Sequence, residues 1–82
     1  MVGKLVRTAE VEADDRTYVA RYFEHRTARG ARRFSCEVVL AAGDRIIVDD
    51  DSLMSLESQV GRLVPATVYS RLLAARPTIV AA

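Results

Sequence analysis

At Asp49-Asp50-Asp51-Ser52-Leu53 the chain changes its hydrophobic rhythm. Before that stretch apolar residues alternate, the two-residue period of a strand with one covered face. After it they recur every three or four residues, the period of an amphipathic helix. A sheet followed by helical structure is the fold this rhythm permits. Asp51 or Ser52 stands where a helix N-cap belongs, because a short side-chain oxygen there accepts from the unpaired N–H groups of the first turn.

The alternation predicts four strands, over residues 4–13, 16–26, 32–40 and 45–49. Arg7 interrupts the apolar set Leu5, Ala9, Val11 of the first, which marks it as an edge strand. The third is the most regular, with Phe34, Cys36, Val38 and Leu40 on one side and Arg33, Ser35 and Glu37 on the other. Asp14-Asp15, the segment around Gly30 and Ala41-Ala42-Gly43-Asp44 read as turns.

Turn length fixes register, and a one-residue slip would move every side chain to the opposite face. A two-residue loop at Asp14-Asp15 sets Val11 opposite Tyr18 and Ala9 opposite Ala20. A three-residue loop at Ala28-Arg29-Gly30 sets Tyr22 opposite Cys36, Ala20 opposite Val38 and Tyr18 opposite Leu40, with the glycine where a bulge requires positive φ. A three-residue loop at Ala42-Gly43-Asp44 sets Leu40 opposite Ile46 and Val38 opposite Val48. One consistent core face follows: Val11, Tyr18, Ala20, Tyr22, Phe34, Cys36, Val38, Leu40, Ile46 and Val48.

Downstream, Leu53, Leu56, Val60, Leu63 and Val64 form a helical stripe over residues 52–64. Gly61 weakens that helix, and Pro65 is read as its end and as the first residue of a second helix over 66–76, with Val68, Leu72, Leu73 and Ala75 apolar and Arg71 and Arg76 toward its C-terminus. Residues 77–82 form a short apolar tail, extended or frayed. The order β-β-β-β-α-α predicts an α+β two-layer sandwich: a four-stranded antiparallel meander with two C-terminal helices on one face, in a single domain of 82 residues.

Composition excludes several functions. Twelve basic against eleven acidic residues leave a net charge of +1, which gives no global field toward nucleic acid or membrane. The basic residues are almost all arginine, a bias that a GC-rich bacterial coding sequence produces. No apolar run approaches the roughly 20 residues of a membrane span, so a cytoplasmic protein is expected. Cys36 and His25 are the single cysteine and histidine, which leaves no disulfide within the chain and no metal centre built on those residues.

Three constellations bear on function. Asp49, Asp50 and Asp51 offer oxygens, but lack the alternate acidic spacing and central glycine of a calcium loop, and helix capping accounts for them without a metal. Arg21, Arg26, Arg29, Arg32 and Arg33 crowd the second hairpin, where they would contact a nucleic-acid backbone. Tyr18, Tyr22 and Phe34 fall on the helix-covered face, so of the nearby aromatics only Phe23 is free to stack a base. Phosphate loops, HExxH, CxxC and GxSxG are absent, and the register sets His25 and Cys36 on opposite faces, so no catalytic residue, enzyme activity or cofactor is predicted.

The third constellation is the sheet face away from the first helix. Its members include Val6, Thr8, Thr17, Val19, Arg21, Phe23, Arg33, Val39, Arg45 and Ile47. The register sets Val6 opposite Phe23 and lines up Val19, Val39 and Ile47 across three strands, flanked by Arg21, Glu37 and Arg45. Scattered surface hydrophobes need no explanation, whereas a row across a sheet does. Either the second helix or the tail covers this row, or it is a partner interface of Val6, Val19, Phe23, Val39 and Ile47. The expected function is a non-enzymatic interaction or regulatory module, self-associating as a homodimer or binding a protein partner. A nucleic-acid-binding module using the arginine hairpin is the alternative.

Overall fold

In the computed structural model, which describes residues 3–75, the two periodicities become one antiparallel sheet and one long helix. The strands are β1 (Lys4–Ala13), β2 (Arg16–Arg26), β3 (Arg32–Ala41) and β4 (Asp44–Asp50), paired in chain order as a meander. The helix α1 spans Leu53–Ala75 and lies against β1, β3 and β4 on one face of the sheet. The α+β class and the meander agree with the sequence reading. The tail at 77–82 and the final residue of the second predicted helix lie outside the described residues.

The two predicted helices are one. Pro65 sits inside α1 rather than between two helices. The buried stripe Leu56, Val60, Val64 and Val68 advances by four residues at each step and passes Pro65 without a break. An interior proline costs about 3 kcal/mol through a missing hydrogen bond and a clash with the carbonyl four residues back. Burying a valine contributes roughly 1.5–3 kcal/mol, and a second helix would need its own nucleus. Val64 and Val68, on either side of the proline, therefore outweigh it. The same ridge leaves Leu63, predicted in the core, on its flank at 39% exposed, and Val64 takes the buried place.

The core is Ala13, Ala20, Tyr22, Phe34, Cys36 and Val38 from the sheet with Leu56, Val60, Val64 and Val68 from the helix. Val11, Tyr18, Leu40, Ile46 and Val48 pack around it half-buried, so all ten residues of the core face derived from register lie on it. Arg7, the charge that interrupts β1, points to the helix side and meets Glu57 at 3.0 Å. Burial pushes the Cys36 thiol up to about 11 and the phenol of Tyr22, its cross-strand partner, up to about 12.

Turn chemistry explains the registers. Asp14 and Asp15 both take positive φ, 53° and 60°, as a two-residue hairpin loop twisted to match its strands requires, and Val11 pairs with Tyr18 and Ala9 with Ala20. At the second turn Gly30 (φ 82°) donates to the Thr27 carbonyl and Thr27 N–H to the Ala31 carbonyl, both at 2.9 Å, which closes the expected three-residue loop. Tyr22 accordingly pairs with Cys36 and Ala20 with Val38. The ladder ends there, so Tyr18 and Leu40 are not joined by it.

Two registers differ from the sequence reading. In β4, Cys36 pairs with Val48 and Val38 with Ile46, two residues away from the expected alignment, and Ala41 pairs with Asp44 across an irregularity. Gly43 (φ 75°) takes the last place before the returning strand, as Gly30 does one hairpin earlier. A shift of two preserves every facing. In β1 a bulge between Leu5 and Arg7 places Leu5, rather than Val6, opposite Phe23.

At Asp49 to Leu53 the cap is Ser52. Its Oγ accepts from the Ser55 N–H at 3.2 Å, while its carbonyl takes the first helical bond from the Leu56 N–H at 2.9 Å. Asp50 supports it by accepting from the Ser52 N–H at 3.1 Å, the Ser55 hydroxyl at 3.0 Å and the Gln59 side-chain amide. The Ser52 N–H, then the Asp51 and Ser55 side chains, hold the Asp50 carboxyl below its ordinary range. Asp49 faces Arg33 at 2.7 Å. Asp49 and Asp50 thus serve different partners, and among the described residues no group of three or more His, Cys, Asp or Glu side chains is placed to hold a metal.

Candidate interface on the uncovered sheet face

With α1 on one face, the other face of the sheet carries no described element. β2 contributes Thr17, Val19, Arg21, Phe23 and His25, and β3 contributes Arg33, Ser35, Glu37 and Val39. The edges add Leu5, Thr8 and Glu10 from β1 and Arg45, Ile47 and Asp49 from β4. Val19 and Val39 are each 48% exposed and Ile47 is 63% exposed. Of the other interface candidates, Val6 sits exposed in the β1 bulge and Phe23 is half-buried, with Gly3 laid against its Cβ.

The expected apolar row across three strands is not present. The observed β3–β4 register sets Val39 opposite Arg45 and Glu37 opposite Ile47. Between the end pairs Glu12–Thr17 and His25–Arg33, three longer cross-strand rows result, read from β1 to β4. The first is made of two pairs, Glu10 with Val19 in β1–β2 and Val39 with Arg45 in β3–β4, which stand level when the β2–β3 register is continued past the end of its ladder. The second is Thr8, Arg21, Glu37 and Ile47, and the third is Leu5, Phe23, Ser35 and Asp49. Charge lies within the face rather than around it.

Glu37 is the centre of that charge. It accepts from Arg21 at 2.6 Å and from Arg45 at 2.8 Å, one carboxylate oxygen to each, and its side chain is only 20% exposed. Sequence reading placed these three residues at the margin, because the register two residues away put a valine row in the middle. Leu5 was missed altogether, since alternation assigns it to the core face and only the bulge turns it outward. Two shallow concavities flank the triad. One, of about 560 Å³, opens where β2 and β3 part beyond Ala20 and Val38, between Thr17, Val19, Val39 and Leu40. The other, of about 310 Å³, lies among Gly3, Phe23, His25, Ser35 and Ile47.

The arginine hairpin is largely paired within the chain. Arg32 meets Glu24 at 3.0 Å and lies 5.4 Å over the Phe34 ring, Arg33 meets Asp49, and Arg21 meets Glu37. Arg26 donates to the Gly30 carbonyl at 2.9 Å, and Arg29 stands exposed at the tip. The Cys36 side chain is buried in the core beside Tyr22, while His25 pairs with Arg33 on the opposite face of the sheet, so their side chains lie on opposite faces. No described helix is long and apolar enough to cross a membrane. The chain matches no protein-family model, no curated protein and no solved structure.

Proposed function

We propose that this chain is a small non-enzymatic interaction module that self-associates as a homodimer through the uncovered face of its sheet. One observation carries the reading: Val19, Val39 and Ile47 stand about half or more exposed on a face that also presents Leu5, while the helix covers only the other side. A sheet with one layer against it keeps its second face polar when water is its only neighbour. Here the apolar side chains lie beside an ion triad whose charges are already paired within the chain, so covering the face strands no unpaired charge there. The nucleic-acid alternative gains less, since three of its five arginines already have carboxylate partners.

Sedimentation velocity across a concentration series tests the proposal. A dimer is expected, converted to folded monomer by Val39→Asp or Ile47→Asp. A wild-type chain that stays monomeric at high concentration overturns it. Oligonucleotide titration at two salt concentrations tests the alternative, which predicts binding at low salt that weakens steeply as salt rises.

A further inference from the structure

We propose that two copies of this chain meet face to face about a twofold axis running parallel to the strands, between β2 and β3, so that Glu10 of each faces the partner's Arg45. The inference rests on the preceding reading, that the uncovered face is where the chain self-associates, and adds the geometry of the contact.

The two rows with a charged pattern carry it. From β1 to β4 the second reads Thr8, Arg21, Glu37, Ile47, paired throughout, and the first, with the β2–β3 register continued one step past its ladder, reads acid, valine, valine, base (Glu10, Val19, Val39, Arg45). Each row changes sign when reversed. A twofold parallel to the strands reverses a row while keeping its height, so β1 of one copy lies over β4 of the other. Glu10 then faces the partner's Arg45, valine faces valine, and Arg21 faces the partner's Glu37.

Other twofold placements fail on the same residues. An axis crossing the strands through the first row sets Glu10 over the partner's Glu10 and Arg45 over the partner's Arg45. Through the second row it sets Arg21 over the partner's Arg21. An axis between the rows presses Val19 against the partner's Arg21 and Val39 against the partner's Glu37. The first two bring like charges together and the third covers charged groups with valine instead of a counter-charge, so charge favours the axis parallel to the strands. The third row is indifferent: Leu5 faces the partner's Asp49, which Arg33 of that same copy already pairs.

The dimensions suit the contact. Face-to-face sheets pack about 10 Å apart with strands rotated by about 30°. With paired strands about 4.8 Å apart, β1 and β4 lie about 7 Å from the axis, somewhat more where β2 and β3 part, and that rotation displaces Glu10 from the partner's Arg45 by at least roughly 4 Å. Two long side chains span such an offset. Arg21, Glu37 and Arg45 are already ordered as a triad in each copy, so less side-chain freedom is lost on assembly. Across the axis Arg21 and Glu37 of both copies alternate in sign, which leaves no charge buried without a counter-ion.

Charge reversal tests the arrangement. Glu10 and Arg45 are exposed; Glu10→Arg leaves the fold intact, and Arg45→Glu gives up one of the two bonds to Glu37 while Arg21 keeps the other, so circular dichroism and a thermal melt of each variant accompany the test. Each variant alone sets like charges opposite each other, and dimer affinity is expected to fall at least tenfold. Mixed in equal amounts, the two variants regain opposite charges at both contacts, and native mass spectrometry is expected to show the heterodimer with the homodimers suppressed. Variants that dimerise as wild type does, or a mixture that remains monomeric, overturn the axis. Val39→Asp separates the two proposals. If it dissociates a dimer that charge reversal leaves untouched, the sheet-face reading stands and this axis falls. If wild type itself is monomeric, both fall.

Discussion

Pro65 stands four residues beyond Gly61 in one unbroken helix, so the carbonyl that its ring crowds and cannot bond belongs to the residue without a side chain. Both residues are exposed, on the side of α1 away from the sheet, and water can reach the freed carbonyl. A methyl group at Gly61 would meet nothing within 4 Å. Gly61→Ala is therefore expected to stabilise the fold by about 1 kcal/mol, the helix-propensity difference between the two residues. Urea denaturation followed by circular dichroism measures it.

The helix face makes a sharper contrast. Leu56 is fully buried, and Leu56→Ala is expected to cost about 2–5 kcal/mol, a large part of the stability of a domain this size. Leu63→Ala should cost less than about 1 kcal/mol, because that side chain lies outside the ridge. Equal losses in paired denaturation curves would place Leu63 in the core and reject the observed stripe.

The cap carries a pH signature. Ser52→Ala should cost on the order of 1 kcal/mol through the lost bond to the Ser55 N–H. Asp50 has its pKa lowered in the folded chain, so its contribution is present above the unfolded carboxyl value and is lost as pH falls through the folded one. The melting-temperature gap between wild type and Asp50→Asn should accordingly be wide at pH 6 and narrow toward pH 3.

Alkaline pH acts on the core. Cys36 and Tyr22 hold their protons to about 11 and about 12 when folded, whereas the unfolded chain gives them up at ordinary values. Above those ordinary values the unfolded state binds fewer protons, so stability falls as pH rises through roughly 9 to 12, the upper part of that window belonging to Tyr22. Tyr22→Phe should flatten the upper part of that decline in a pH series of thermal melts. Iodoacetamide should label Cys36 only as fast as the fold opens.

The first hairpin holds its two aspartates in the left-handed region. That conformation costs a side-chain-bearing residue roughly 1–2 kcal/mol, and aspartate tolerates it better than most. Asp15→Gly should raise stability by up to about 1 kcal/mol, with an unchanged circular dichroism spectrum.

Facing was legible in the sequence and alignment was legible only in part. Alternation settles which side of a strand is buried, and Tyr22, Cys36 and Val38 all lie where it places them. Alignment of β4 depends on where Gly43 sits in its loop, and two loop placements that differ by two residues of register bury the same set. Burial cannot choose between them; the glycine's positive φ does. The same ambiguity reached the candidate site, since moving Ile47 from beside Val39 to beside Glu37 turns an apolar row into an ion triad within an apolar surround. The bulge after Leu5 left no sequence signal. At Pro65 a local rule was applied that tertiary burial of Val64 and Val68 overrode.

The only described cover for the core comes last in the chain. Glu57 and Arg7 bond across fifty positions, and each hairpin of the meander closes over a few residues. During synthesis all four strands therefore leave the ribosome before α1 does, with Tyr22, Phe34 and Val38 open to solvent on one side and Val19, Val39 and Ile47 on the other. Until α1 docks, both faces of the sheet are bare and its edge strands are open, so aggregation competes with folding for as long as Leu56, Val60, Val64 and Val68 have not reached it.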